Sequence, residues 1–410
     1  MKLPRQCAIL VGGLGSRLGQ LTTDIPKPLL DCGGRPFLAW ILRELSRFGI
    51  EETVLLAGYK SERIERFCRD IPSLLPKPMS VKVSVEPEPA GTGGAVWYAR
   101  DLLADTFLLV NGDSWIDTNL ARFFAAAAAT AASGTLGYVL LRSMEDCSRY
   151  GVVERRGRHV IAFHPRPPAN TSGMINGGMY IFDRDAIGFM TPSCSLETDV
   201  LPVLAAKGLL CGEVTSGYFI DIGVPADYMR GQLELPKRLR RPAVFLDGDE
   251  IMKDNYDWLG SRYRNLLTDG TKEAIQLVND IGLHAFLIGN KASVAQESCT
   301  ELNLRDIHHL MADDLLAYGC TIDNIRNFSS YSHAMIDKHK QEFPGWSPRA
   351  RMIVDLVEVW NVVLRGSLLV GGKESDLRAG HAANIPGHLF SGGNLSDFLQ
   401  TRLFPHRDAN

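Results

Sequence analysis

The eight cysteines of this 410-residue chain, at positions 7, 32, 68, 147, 194, 211, 299 and 320, include no C-x-x-C pair and no Cys/His cluster at zinc-ligand spacing. A disulfide framework and a structural zinc site are thereby excluded as the basis of the fold, and reduced thiols of a cytoplasmic protein are expected instead. Long hydrophobic runs are missing as well. Nowhere do about eighteen apolar residues follow one another, and the first apolar run is short and broken by glycine, so no membrane span and no signal peptide is expected. Nor does one sign of charge dominate. Lys and Arg number 44 against 47 Asp and Glu, a net charge of -3, which excludes a nucleic-acid track or an anionic membrane surface as the main partner. Two familiar phosphate loops are also absent: there is no Gly-x-x-x-x-Gly-Lys-Ser/Thr, and Gly13-Leu14-Gly15 lacks the third glycine of the dinucleotide fingerprint.

What is present is enough apolar residue, 45% of the chain, to build the cores of the two to three domains that this length predicts. Ala8-Ile9-Leu10-Val11 reads as a buried parallel strand cut off by Gly12-Gly13-Leu14-Gly15-Ser16-Arg17, a tight loop opening a helix. Without Cβ atoms the glycines let backbone N–H groups approach a polyphosphate, and Arg17 adds a forked positive charge. Lys27, between Pro26 and Pro28, adds a second cation on a stiff segment. Strands and helices then alternate: helix over 36–45, strand over 53–59, helix over 61–68 capped by Ser61, and strand over 81–86, ending at Glu86. A second glycine loop, Gly91-Thr92-Gly93-Gly94, opens the next helix, and the apolar strand 106–110 leads through Asn111 and Gly112 to Asp113. Ligands of parallel sheets gather at such carboxyl ends. An alanine-rich helix over 121–132 and strands over 137–141, 151–154 and 160–163 follow.

Taken together, Gly12-Gly13-x-Gly15-Ser16-Arg17-Leu18 with Pro26-Lys27-Pro28, the 91–94 loop, Asp113, Asn176-Gly177-Gly178-Met179-Tyr180, Ser195-Leu196-Glu197 and Asp221-Ile222-Gly223-Val224-Pro225-Ala226-Asp227-Tyr228 resemble the sugar-1-phosphate nucleotidyltransferases. The resemblance implies a Rossmann-like α/β domain with a mixed, mostly parallel sheet over residues 1–232. It implies Mg²⁺ as cofactor, held by Asp113 and Asp221, with Arg17, Lys27 and Asp113 catalytic. Leu10, Gly12, Gly13, Gly15, Ser16, Glu86, Gly91, Thr92, Gly93 and Gly112 would bind the nucleotide, and Arg166, Asn176, Gly177 and Glu197 the sugar phosphate. One departure stands out: where the family has Phe-x-Glu-Lys-Pro this chain has Phe163-His164-Pro165-Arg166-Pro167, so an arginine replaces the lysine expected on the sugar phosphate.

Residues 233–242, with charge bracketed by Pro236 and Pro242, read as a linker, and 243–405 as a second domain followed by a tail, 406–410. There Ala243-Val244-Phe245-Leu246-Asp247-Gly248-Asp249 and Val370-Gly371-Gly372-Lys373-Glu374-Ser375-Asp376 resemble haloacid-dehalogenase-type phosphatases of the heptose bisphosphate branch. That implies a second Rossmann-like α/β domain in which Asp247, Asp249 and Asp376 are the surviving acids. Glu250-Ile251, Gly289-Asn290-Lys291, Trp346-Ser347-Pro348-Arg349 and Gly371-Gly372 stand where the phosphate-binding hydroxyl, the second motif, the lysine and a metal carboxylate belong, so impaired phosphatase chemistry is expected. The pairing implies guanylyl transfer from GTP to D-glycero-D-manno-heptose 1-phosphate. Alternatives are a hexose 1-phosphate nucleotidyltransferase using UTP, dTTP or GTP, a bifunctional enzyme with an active phosphatase, and a non-catalytic sugar-nucleotide sensor. Homo-oligomerisation is left open.

Overall fold

After Gln6 the first strand is apolar to its end because it lies inside a sheet. β1 (Gln6–Leu10) pairs in parallel with β2 (Glu52–Ala57) on one side and β4 (Thr106–Asn111) on the other, and β2 pairs with β3 (Ser80–Val85). Strands covered on both faces read as continuous hydrophobic runs, as β1, β2 and β4 do. The computed structural model describes residues 1–130, 133–252, 267–289, 301–327 and 347–404, with the side chains of 249 and 301–307 outside that description.

Beyond β4 the sheet changes character. With β6 (Gly137–Met144), β7 (Val152–Arg156), β8 (His159–His164), β9 (Gly173–Asp183) and β10 (Leu210–Thr215) it has nine strands in the order β3-β2-β1-β4-β9-β6-β10-β8-β7. Central β9 runs antiparallel to both β4 and β6, and β7–β8 is an antiparallel hairpin, while β10 lies parallel to β6, so the sheet is mixed, wholly parallel only from β3 to β4. Only β7 and β8 are joined by a short turn; β9 reaches its places beside β4 and β6 from further along the chain. A small two-stranded ribbon stands apart, β5 (Ser114–Ile116) against β11 (Phe219–Asp221). The helices α1 (Phe37–Arg47), α2 (Ser61–Asp70), α3 (Gly91–Tyr98), α4 (Leu120–Ala128), α5 (Leu201–Ala206) and α6 (Pro225–Leu239) complete the first unit, and Val96 of α3 and Leu204 of α5 share one core with Tyr180 and Phe182 of β9.

Three local expectations need correction. The glycine turn opens no regular helix: residues Ser16–Thr22 form 3₁₀ turns broken at Gly19, whose φ of 58° interrupts the spiral. The cap of α2 is Lys60, in left-handed conformation at φ 52°, and Ser61 is already helical. Residues 233–239 are no linker but the end of α6; Pro236 stays within the helix. The chain divides at Arg238/Leu239.

The second unit holds a five-stranded sheet in the order β14-β13-β12-β15-β16, from β12 (Ala243–Asp247), β13 (His284–Gly289), β14 (Asn324–Asn327), β15 (Leu368–Gly371) and β16 (Gly387–Leu389), all parallel. Asp247 closes β12, and Asp376 sits in the first turn of the helix Glu374–Ala382 that follows β15, accepting from the Lys373 N–H at 3.0 Å. Both acids pair with Arg349, at the start of the helix Pro348–Trp360: Arg349 Nη1 lies 3.2 Å from Asp247 Oδ2 and also meets Asp376 Oδ1. Residue 249 lies in the short helix Gly248–Ile251, and its side chain, like residues 290, 291 and 328–346, is outside the described residues.

Candidate functional site

The ribbon β5–β11 brings together two acids that the sequence sets far apart. Its register pairs Ser114 with Asp221, and the Ile222 N–H donates to the Asp113 carbonyl at 3.0 Å, so both carboxylates lie beside the carboxyl end of β4. Between them stands Lys27. Its Nζ is 2.6 Å from Asp113 Oδ2 and 3.5 Å from Asp221 Oδ1, and the residue is only 6% exposed. Arg17 completes the group: a Cβ built on Gly223 would lie 2.8 Å from Asp221 Oδ1, 3.1 Å from Lys27 Nζ and 3.2 Å from Arg17 Nη2, which places three charged tips around one glycine. A side chain at 223 would fill the space where they meet.

Burial, first, and the neighbouring Asp113 charge, second, push the Asp221 carboxyl above its ordinary range, against the pull of Lys27, the Gly223 N–H and Arg17. Two carboxylates that repel each other while sharing one lysine are short of positive charge. Oxygen donors of this kind suit a hard divalent ion such as Mg²⁺, which is commonly held by one or two carboxylates together with substrate phosphates and water. Among the described residues no group of three or more His, Cys, Asp and Glu side chains gathers around a metal position.

The cluster opens into a cavity of about 550 Å³ lined by Leu10, Gly12, Gly13, Gly15, Ser16, Arg17, Lys27, Glu86 and Asp113. Gly15 can turn the loop because it takes φ 63°, and a Cβ there would press to 2.9 Å from Thr22 Cγ2. Glu86, at the far wall, accepts from the Ala90 N–H at 3.3 Å, and burial raises its carboxyl pKa. Tyr59 and the Pro87-Glu88-Pro89 segment also line the cavity and were not singled out from the sequence. Their position was readable: Tyr59 follows β2 at the carboxyl edge of the parallel half, and its hydroxyl ties down the turn by donating to the carbonyls of Thr22 at 3.2 Å and Thr23 at 3.0 Å.

The other expected residues form a second group. Thr92 Oγ1 donates to Glu197 Oε2 at 2.7 Å and accepts from the Leu196 N–H at 2.8 Å, so Gly91, Thr92 and Gly93 at the start of α3 are bolted to the Ser195–Glu197 turn. Asn176 Nδ2 donates to the Tyr180 hydroxyl at 2.7 Å, and Gly177 passes close to the Leu140 carbonyl. Gly112 lets the strand end approach β1, where a Cβ would lie 2.5 Å from the Leu10 carbonyl oxygen. Arg166 is exposed beyond β8 and lines neither group.

Residues 7–238 match the family model described as Nucleotidyl transferase. Over 233 residues the chain is 35% identical to the D-glycero-alpha-D-manno-heptose 1-phosphate guanylyltransferase of Aneurinibacillus thermoaerophilus, covering 56% of this chain and 98% of that protein. It is 32% identical to the mannose-1-phosphate guanylyltransferase catalytic subunit beta of Danio rerio, covering 58% and 69%. A solved structure of HddC from Yersinia pseudotuberculosis complexed with GMP-PN is 31% identical with a TM-score of 0.49, covering 56% of this chain and 99% of that one. The matched span contains the glycine turn, both cations and both acids, and by that span the chain belongs to the nucleotidyl transferase family.

Proposed function

We propose that the first unit transfers a guanylyl group from GTP to a sugar 1-phosphate, D-glycero-D-manno-heptose 1-phosphate, releasing pyrophosphate. The observation that carries this reading is the meeting of Arg17, Lys27, Asp113 and Asp221 beside the glycine turn. Both reactants are anions, so the protein's work is to neutralise and position them, and no covalent intermediate is required. Mg²⁺ on Asp113 and Asp221 would supply charge neutralisation on the triphosphate. Arg17 and Lys27 face the same anion from the protein side, and Gly12, Gly13 and Gly15 let the backbone approach it with no Cβ at those three positions. Thr92 holds Glu197 in place for sugar hydroxyls, and Arg166 reaches for the sugar phosphate from its exposed segment.

Two observations support guanine and heptose. Guanine presents adjacent N1–H and N2–H₂ donors, which an acceptor-only carboxylate such as Glu86 can take together, whereas uracil and thymine offer one N–H flanked by carbonyls. Relatives from Aneurinibacillus thermoaerophilus and Campylobacter jejuni are both named as heptose 1-phosphate guanylyltransferases, at 35% and 32% identity. For the second unit we propose a catalytically silent role, because the Arg349 guanidinium already occupies the space between Asp247 and Asp376.

The test is a matrix of GTP, UTP, dTTP and ATP against heptose, mannose and glucose 1-phosphates, read by pyrophosphate release. The highest kcat/KM is expected for GTP with the heptose. Release with UTP and a hexose alone would favour the hexose reading, and nucleotide binding without release anywhere in the matrix would favour the sensor.

A further inference from the structure

Arg17 is carried on a short segment with a glycine hinge at each end. Gly15 takes φ 63° and Gly19 φ 58°, and of the three residues between them Ser16 and Arg17 are exposed and only Leu18 is buried. Glycine enters such conformations as readily as ordinary ones, so the hinges by themselves give the guanidinium no fixed direction. That direction has to be set from outside the segment.

Thr22 is the first support. It is only 4% exposed, and its hydroxyl lies 3.1 Å from the Gly15 carbonyl oxygen and 3.3 Å from that of Gly19, so a single donor is shared between the two hinges. Its Cγ2 packs against the turn as well, 2.9 Å from where a Cβ on Gly15 would sit. Thr22 is held in turn by Tyr59, whose hydroxyl reaches the carbonyls of Thr22 at 3.2 Å and Thr23 at 3.0 Å, while its backbone N–H donates to the Gly12 carbonyl at 3.1 Å. Tyr59 therefore grips the loop at both ends, Gly12 and Thr22, and also lines the cavity at the glycine turn. Lys60 and Asp24, 3.3 Å apart, join the same two segments, but the Asp24 side chain is 82% exposed and a pair of that kind contributes little.

We propose that Tyr59 is a positioning residue for the triphosphate: acting through Thr22, its hydroxyl sets the two glycine hinges so that the Arg17 fork meets the phosphate oxygens. This rests on the reading of the glycine turn as the nucleotide site. The hydroxyl is spent on backbone carbonyls and the residue also lines the cavity, so the two contributions are separable. A planar fork that grips two oxygens tolerates little displacement, whereas the ammonium of a lysine on its flexible stem can follow a shifted phosphate.

Calorimetric titration of the full chain with GTP and Mg²⁺, in the absence of sugar phosphate, tests this with binding read apart from turnover. Tyr59→Phe keeps the ring and removes the hydroxyl, and Thr22→Val keeps the shape and removes the shared donor. Each should raise the Kd for GTP about three- to tenfold, the effect of one or two lost hydrogen bonds. In an Arg17→Lys background either change should cost less than about twofold, because the fork that they aim is gone. Asp24→Asn, which breaks only the exposed pair with Lys60, should leave the Kd within about twofold of wild type. Should Tyr59→Phe not fold, Thr22→Val decides alone. The proposal is overturned by any of three results: a Kd unchanged in either variant, the same fold-loss in the Arg17→Lys background as in wild type, or a loss from Asp24→Asn as large as that from Tyr59→Phe. Wild type that binds no GTP at millimolar concentration would overturn the nucleotide reading itself, and the proposal with it.

Discussion

Lys27 does two jobs that can be separated by experiment. It neutralises Asp113 and Asp221 in the free protein, and it presents a cation to the triphosphate. Lys27→Met should cost about 1–3 kcal/mol of stability, less than a fully buried pair would because Asp113 is partly exposed, and added Mg²⁺ should recover more stability in the variant than in wild type. Melting curves with and without Mg²⁺ check this; an equal Mg²⁺ effect in both proteins would contradict it. Asp221 carries the opposite sign. Its carboxyl holds a proton more tightly folded than unfolded, so this group's contribution favours the fold at low pH and is lost as pH rises through its raised pKa. Asp221→Asn should therefore melt higher than wild type at neutral pH without metal, lose that gain near about pH 4, and release pyrophosphate at least about a hundredfold more slowly. Glu86→Gln should lower kcat/KM for GTP by about 10- to 100-fold, because an amide puts a donor against guanine's donors. At this scale the glycine turn with Arg17 and Lys27 was legible from the residue types that phosphate binding demands, whereas Asp113 and Asp221 were singled out through the family resemblance, since an acid after a strand is by itself an ordinary turn residue. Tyr59 was legible only as a residue following a strand of the parallel half, and Thr22 was not, because nothing in a threonine inside a loop says what it will face.

Among the elements, the ribbon β5–β11 is what turns two distant acids into a pair, and three-residue strands leave almost no pattern to read. The parallel half of the sheet was legible because β1, β2 and β4 carry apolar runs and β3 alternates as an edge strand does. The antiparallel half was not, since single strands such as 137–141 carry no mark of direction. Gly91 shows how an element can be tested apart from the chemistry. It takes φ 78°, and a Cβ there would lie 2.5 Å from the Cys194 carbonyl oxygen, so Gly91→Ala should pull the start of α3 away from the Ser195–Glu197 turn. The expected result is a raised KM for the sugar phosphate, a KM for GTP within about twofold of wild type, and a stability loss of about 1–3 kcal/mol. A change confined to the GTP KM would place the Thr92–Glu197 contact at the base instead.

At the scale of the whole molecule, the division at Arg238/Leu239 sets all four charged residues of the cluster in the first unit. A chain truncated after Arg240 should keep pyrophosphate release within about threefold of the full chain, a modest change on the scale of catalytic losses. In the second unit, Asp247 and Asp376 are buried and meet one guanidinium, so Arg349→Met should cost that unit about 3–5 kcal/mol and leave the rate of transfer unchanged. Among the described residues no helix is long and apolar enough to cross a membrane. Two domains were legible from the length and from the fresh apolar strand at 243–247, whereas the persistence of α6 through Pro236 was not, because a proline between charged residues reads as a break. The account turns on two acids acting on one divalent ion, and the rate of pyrophosphate release against Mg²⁺ concentration tests that most directly. Asp113→Asn and Asp221→Asn should each slow turnover and shift half-saturation to higher Mg²⁺. Wild-type rate and Mg²⁺ dependence in either variant would contradict it.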